Sequence, residues 1–336
     1  MNGRPPRLSG NQPETMNPMR ITVISGGAAG AQFVRGLVEH LEQSPDLAGS
    51  EVTVIANTGD DISLWGLRLC PDLDLLVDEL AAKGDAHVGT ESHVVGDRLG
   101  ALGLEPRWLP VTDGQMATHV ARTAWLGRGD SLTEVTARLA EAGGLAARGV
   151  TLLPMSDVPV ETHAVLDGPQ DQRAVHIQQW RHELGRPAAA RFVVAGLDRA
   201  TPAPQVLDAI RGADVVLLAP SDPVLSLGII LGVPGVRDAL RGTSAPVVGV
   251  SPATGSAAEE ALIASLATVD TAPTAAGVAG LFRDLLNGWL VDPADSPDAV
   301  PGARWTTRAH TGPLGPDADP TQIAANALDL ATSLRS

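Results

Sequence analysis

The stretch Asn57-Thr58-Gly59-Asp60-Asp61-Ile62-Ser63-Leu64-Trp65-Gly66-Leu67-Arg68-Leu69-Cys70-Pro71-Asp72-Leu73-Asp74 carries four aspartates within fifteen positions, two adjacent and two separated by one leucine. Carboxylates this close repel one another unless a cation or a donor-rich ligand sits among them. Directly before it runs Val52-Thr53-Val54-Ile55-Ala56, whose apolar, β-branched composition predicts a buried parallel strand. The acidic residues then leave that strand at its carboxyl end, the edge at which open α/β sheets bind ligands. A hard cation such as Mg²⁺ suits such donors.

One unit upstream, Arg20-Ile21-Thr22-Val23-Ile24 is followed by Ser25-Gly26-Gly27-Ala28-Ala29-Gly30 and an amphipathic run from Ala31 to Leu41. Strand, glycine turn and helix in that order bring backbone N–H groups and a helix N-terminus to one point, which favours phosphate. Glycine-rich turns of this kind also serve tight packing alone. The spacing here is not the GxGxxG of dinucleotide folds. An anion site beside a cation site points to phosphate and metal chemistry together.

These motifs carry a resemblance. Ser25-Gly26-Gly27 with Gly30, Asn57-Thr58-Gly59-Asp60-Asp61, Gly66-Leu67-Arg68 and Cys70-Pro71-Asp72-Leu73-Asp74 resemble the CofD/FbiA family of 2-phospho-L-lactate or phosphoenolpyruvate transferases. The likeness continues in order through Ala117-Thr118-His119 with Arg122, Leu132-Thr133-Glu134-Val135-Thr136, Leu153-Pro154-Met155-Ser156-Asp157, Ala219-Pro220-Ser221-Asp222-Pro223-Val224, Val233-Pro234-Gly235-Val236 and Ser251-Pro252. It spans Arg20 to Asp292 and implies a Rossmann-like α/β core.

Composition bounds the reading independently. A chain of 336 residues with 44% hydrophobic content can bury a sizeable core. No apolar run approaches the roughly 18 to 20 residues that cross a membrane. Met1 to Pro18 is polar and proline-rich and reads as a flexible extension without the apolar centre of a signal peptide. The single cysteine, Cys70, excludes an intrachain disulfide and is compatible with a reducing cytoplasm. Inside the acidic stretch it is either a reactive thiol or a small buried filler, and the filler is favoured. A net charge of −15 argues against nucleic acid, whose backbone is bound by clustered Lys and Arg, but not against a small phosphorylated ligand held by N–H groups and a metal.

Apolar runs alternating with helical patterns predict an α/β core over residues 19–150 and 199–336, with a smaller lobe of strands and a helix inserted over 151–198. A helix is expected from Leu75 to Lys83. Along the chain several positions depart from the family pattern. Trp65 stands where a histidine is usual. From Asp85 to Thr90 the chain is short, and Glu91-Ser92-His93 replaces an acidic-Thr-aromatic motif, leaving Ser92 to offer the acceptor a hydroxyl. Gly114 and Gln115 replace an arginine and an acid. Gln179 replaces a glutamate, and Asp222 an asparagine. The loop after Pro252 keeps a glycine but no base. His119 and Arg122, three apart, share one helix face. Either they point into the site or they pack on the acidic stretch through a salt bridge. Asp157 ends an apparent strand and either lines the cleft or caps a turn. Asp222 adds a negative charge where a diphosphate is expected, which is unfavourable unless a metal bridges the two.

The resemblance implies transfer of a phospholactyl or enolpyruvyl-phosphate group from a guanosine diphosphate-linked donor to the ribityl 5′-hydroxyl of the deazaflavin Fo, with release of GMP, in coenzyme F-420 biosynthesis. On that reading Asp61 and Asp74 are the catalytic, Mg²⁺-holding pair. Gly26, Gly27 and Gly30 receive donor phosphate, with Ser221, Asp222 and Ser226 on the nucleotide side. Asn57, Ser92, Thr118, His119, Arg122 and Asp157 complete the substrate contacts. Partners are then small molecules, with a homodimer compatible and neither nucleic acid nor membrane expected. The alternative reading is a non-catalytic or altered-specificity paralogue that still binds a nucleotide-type ligand, motivated by the departures at polar positions.

Overall fold

The computed structural model describes residues 18–81, 92–168, 171–254, 260–295, 303–315 and 317–335. Most of the N-terminal extension, residues 82–91, which include the end of the helix expected to run to Lys83, and residues 255–259 lie outside the described residues. In chain order the strands are β1 (Arg20–Ser25), β2 (Glu51–Ala56), β3 (Ile62–Leu64), β4 (Leu67–Leu69), β5 (Val150–Pro154), β6 (Glu161–Asp167), β7 (Gln172–His176), β8 (Arg191–Ala195), β9 (Val215–Leu218), β10 (Val247–Val250), β11 (Gly288–Val291) and β12 (Thr306–Ala309). The helices are α1 (Gly27–Gln43), α2 (Pro71–Leu80), α3 (Val94–Ala101), α4 (Asp113–Leu126), α5 (Leu132–Ala142), α6 (Ile177–His182), α7 (Val206–Gly212), α8 (Gly228–Gly232), α9 (Val236–Gly242), α10 (Glu260–Ala267), α11 (Ala275–Leu281) and α12 (Pro320–Ser333).

Seven strands form one sheet in the order β12-β11-β10-β9-β1-β2-β5, and every neighbouring pair is parallel. Strands such as β9 and β10 are buried at every residue because helices cover both faces, so their sequences are continuous apolar runs. On one face Phe33 and Leu37 of α1, Leu73 of α2 and Leu328 of α12 share a core with Val23 and Val54. On the other, Ile210, Ile230, Leu240 and Phe282 pack against Ile24, Ile55 and Val216. The backbones of α1 and α12 nearly touch, since a Cβ on Gly36 would lie 2.3 Å from the Pro320 carbonyl oxygen. This is a doubly wound α/β fold of Rossmann type. The winding reverses between β1 and β9, where open sheets carry their ligand crevice.

A separate antiparallel sheet, β7-β6-β8, lies between β5 and α7 in sequence and packs on α6. Its small core holds Trp180, fully buried and edge-on to Phe192 with ring centroids 5.3 Å apart. The chain leaves the central sheet after Pro154 and not at Thr151, because β5 pairs with β2 over its whole length. Two further differences concern the acidic stretch. It is not one loop: β3 and β4 form a hairpin whose tip residues Trp65 and Gly66 have φ of 54° and 77°, the sign pattern of a tight I′ turn. Asp72 and Asp74 stand in the first turn of α2, which starts at Pro71 and not at Leu75, since proline fixes the φ a helix needs at its first position.

Candidate active site

At the reversal point the ends of β1 and β9 are tied together: the Gly26 N–H donates to Ser221 Oγ at 3.1 Å. Gly26 leaves no room for a side chain, because a Cβ there would stand 2.8 Å from Asp72 Oδ2 and 2.9 Å from the Ser226 Cβ. Gly30 is tighter still, 2.4 Å from Ser221 Oγ and 2.6 Å from Ser25 Oγ by the same construction. The expected phosphate turn therefore lies where a ligand crevice belongs, but its amides are engaged. Gly26 N–H goes to Ser221, and Gly27 N–H goes to the Asp72 carboxylate, which also accepts from Asn57 Nδ2 at 2.9 Å. A protein carboxylate thus sits at the start of α1, where the positive helix end favours negative charge.

The aspartates are resolved by arginines arriving from three directions. Asp60 accepts from Arg181 of α6, Asp61 from Arg68 of β4 at 3.0 Å, and Asp74 from Arg122 of α4 through both oxygens. His119, one turn before Arg122, brings Nδ1 to 3.5 Å of Asp74 Oδ2. Burial lowers the His119 pKa, so the ring is neutral near pH 7. Of the two alternatives for the His119 and Arg122 face, the structure has the salt bridge to the acidic stretch. Burial pushes Asp61 up to about 7 despite the opposing Arg68 charge. Asp72 is likewise pushed up to about 7, by burial and then by the Asp60 charge. Cys70 is fully buried with its thiol pushed well up by desolvation, so it is a packed filler and not an exposed nucleophile.

Other expected contacts lie elsewhere. Ser92 is exposed and donates to Asp113 Oδ2 at 2.6 Å. The Thr118 hydroxyl turns back to the Gly114 carbonyl within α4, and Gly114 itself is exposed. Asp157 accepts from the N–H and hydroxyl of Thr133 at 2.7 and 2.8 Å, so it caps the first turn of α5. Asp222 is also a cap: Oδ1 accepts from the Val224 and Leu225 N–H groups at 2.8 Å each, and Oδ2 from Ser265 Oγ at 2.9 Å. Both of its oxygens are satisfied without a metal.

Several polar atoms near the reversal point are buried with no partner among the described residues, namely Ser25 Oγ, Thr58 Oγ1, Asp60 Oδ1 and Asp61 Oδ1. Such atoms are costly unless water, an ion or a ligand reaches them. Among the described residues no three His, Cys, Asp or Glu side chains are grouped to hold a metal. The expected Asp61 and Asp74 pair offers one open carboxylate oxygen, Asp61 Oδ1, since Arg122 occupies both oxygens of Asp74. Magnesium usually takes only one or two carboxylates and fills the rest of its shell with water and substrate phosphate, so the donor set fits it in part.

The sequence reading missed the arginine partners Arg68 and Arg181, and the docking of α6 on the acidic stretch. There Gln178 Nε2 donates to the Asp60 carbonyl at 3.2 Å, and His176 Nε2 lies 3.0 Å from the Asp61 carbonyl. A cavity of about 410 Å³ also opens beside the hairpin tip, walled by Trp65, Leu99, Leu104, Leu109 and Val111 with Arg107 and His93 at its side.

A doubly wound parallel sheet with a cluster of buried carboxylates at its reversal point defines a Rossmann-like α/β protein. Residues 21–326 match the family described as 2-phospho-L-lactate transferase CofD, and the chain belongs to that family. It is 42% identical over 327 residues to a phosphoenolpyruvate transferase of Thermobifida fusca strain YX, covering 94% of this chain and 99% of the relative. A phosphoenolpyruvate transferase of Streptomyces griseus is 41% identical over 330 residues, covering 95% and 100%. Among solved structures, a UPF0052 family member from Bacillus halodurans superposes with a TM-score of 0.62 at 15% identity, covering 93% of this chain and 99% of the other, a likeness of fold. The chain is a transferase enzyme. No single helix among the described residues is long and apolar enough to cross a membrane.

Proposed function

We propose that this enzyme transfers a phosphoenolpyruvyl or phospholactyl group from a guanosine diphosphate-linked donor to the ribityl 5′-hydroxyl of Fo, releasing GMP in coenzyme F-420 biosynthesis. The hydroxyl oxygen bonds to the donor's distal phosphorus as the bond to GMP breaks. The names of the curated relatives favour the enolpyruvyl donor. The observation that carries the reading is the set of buried atoms without a partner among the described residues, Ser25 Oγ, Thr58 Oγ1, Asp60 Oδ1 and Asp61 Oδ1, beside a turn in which Gly26 and Gly30 admit no side chain.

Phosphoryl transfer asks a protein for positioning and charge neutralisation more than for covalent help. Of the expected pair, Asp61 through its unpartnered Oδ1 would hold Mg²⁺, which when bound would neutralise charge on the diphosphate, while Asp74 stays committed to Arg122. Donor phosphate takes its place at the turn from Gly26 to Gly30 by displacing Ser221 and Asp72 from the Gly26 and Gly27 N–H groups, with Ser226 beside it. The cavity at the hairpin tip, within the size range of small-molecule pockets, receives the acceptor ring between Trp65 and Leu109. GMP release is then expected only with Fo, donor and Mg²⁺ all present, and is abolished by a chelator. Failure to release GMP from either donor, together with failure to bind any guanine nucleotide, would overturn the reading.

A further inference from the structure

Three arginines face the carboxylates of the crevice, and they are not equally committed. Arg122 is 1% exposed and spends both terminal nitrogens on Asp74. Arg68 is 14% exposed and spends Nη2 on Asp61 and Nη1 on Glu161. Arg181 is 20% exposed and uses Nη1 alone, on Asp60, so four of its five N–H donors carry no bond among the described residues. It also stands among carboxylates of three separate elements, Asp60 after β2, Asp72 at the start of α2 and Asp222 after β9, all of which feel its charge. Asp72 is the group that fills the α1 N-terminus and lies 2.8 Å from the Cβ position of Gly26. Arg181 therefore stands on the same side of the fold as the glycine turn, bonded to Asp60 and within the field of the Asp72 carboxylate that borders Gly26.

We propose that Arg181 is a positioning residue for the anionic donor: its guanidinium, held at rest by Asp60, swings to the donor phosphate at the Gly26-Gly27 turn and so couples the small antiparallel sheet to substrate binding. This rests on the donor reading above. An arginine suits the task because its planar fork binds phosphate oxygens in pairs, and its move leaves Asp60, which is buried, without its cation, a cost to donor binding that Asp60→Asn removes. Asp60 then acts as a competitor for Arg181, a role in which its removal strengthens anion binding. A purely structural ion pair makes the opposite demand, because deleting either member would loosen the contact between α6 and the acidic stretch alike.

The test is calorimetric titration of wild type, Arg181→Gln, Arg181→Lys and Asp60→Asn with GDP and with inorganic pyrophosphate, at two salt concentrations, with thermal unfolding recorded for each. Arg181→Gln is expected to weaken both ligands roughly ten- to hundredfold and to flatten the salt dependence, Arg181→Lys to recover part of the loss, and Asp60→Asn to bind no more weakly than wild type. If Arg181→Gln and Arg181→Lys, folded by their unfolding curves, bind both ligands as wild type does, the inference fails and the donor reading stands. Asp60→Asn binding as weakly as Arg181→Gln would also overturn it, in favour of a structural pair. Wild type that binds neither ligand overturns both, whereas binding of pyrophosphate without GDP overturns the nucleotide donor and leaves Arg181 decided by pyrophosphate.

Discussion

Arg122 grips both carboxylate oxygens of Asp74 from a position in α4 forty-eight residues further along the chain, and both side chains are buried. The ion pair joins α4 to the first turn of α2, and its bidentate geometry requires a planar fork. Breaking a buried pair by removing one member leaves the other charge uncompensated, at a cost of about 3 to 5 kcal/mol. Arg122→Gln is expected to lose stability on that scale and Arg122→Lys to lose less, as read by urea unfolding. A midpoint for Arg122→Gln equal to that of wild type would show that the pair contributes nothing to the fold.

Asp61 predicts a pH-dependent trade between stability and activity. Its folded pKa, about 7, lies above the ordinary value of 3.8 because burial disfavours the charged form. Between those two values the folded protein holds a proton that the unfolded chain has released, so this group's contribution to stability falls as pH rises through the window. Asp61→Asn carries no such titration. Its stability relative to wild type should therefore improve from pH 4 to pH 8, by roughly 2 to 4 kcal/mol at most, while turnover is lost. Parallel stability curves for the two proteins across that range would sink the prediction.

The sheet was legible because strands buried on both faces leave continuous apolar runs, as at Val215–Leu218 and Val247–Val250, and because Gly26 follows β1 directly and Asp60 stands four residues after the end of β2. The hairpin at Trp65 was not, since its tip needs positive φ at a residue that gives no Asn-Gly or Asp-Gly signal. His119 and Arg122 could be placed on one face by spacing alone, but which carboxylate they meet depends on how α4 packs. Arg68 meets Asp61 across the hairpin, seven residues away, so that pair depends on the unread turn, whereas Glu161, its second partner, and Asp60, the partner of Arg181, are 93 and 121 residues distant and are met only when the small sheet docks. The capping role of Asp157 was open as an alternative. That of Asp222 is a local pattern, a carboxylate two and three residues before the amides it binds, which the expectation of a nearby diphosphate obscured.

Gly27 and Gly30 separate two reasons for glycine in one turn. Gly30→Ala would drive a methyl group to 2.4 Å of Ser221 Oγ and is expected to cost about 1 to 3 kcal/mol by overpacking, with a raised donor KM as Ser221 is displaced. Gly27 has open space around its Cβ position but a φ of 69°, so Gly27→Ala is expected to cost only about 1 to 2 kcal/mol of backbone strain. Thermal unfolding and donor KM for the two variants check this, and a larger KM effect from Gly27→Ala would contradict the packing assignment of Gly30.

Asp222 supplies the last prediction, and the structure reverses the reason for testing it. A carboxylate facing a bare diphosphate would repel it, and removing the charge would then improve nucleotide binding sharply. Here Oδ1 receives two backbone N–H groups at the start of the turn after β9, and Oδ2 receives the Ser265 hydroxyl. Burial raises the Asp222 pKa, against the pull of those donors and of Arg181. An asparagine keeps an acceptor oxygen for the two amides, so Asp222→Asn should leave GDP affinity within about threefold of wild type, with and without Mg²⁺, because the charge removed was already met by the cap. Asp222→Ala removes the cap and should cost about 0.5 to 2 kcal/mol in unfolding free energy. A tenfold or greater gain in GDP affinity for Asp222→Asn, or a metal requirement that disappears with the substitution, would return Asp222 to the donor site and remove it from the framework.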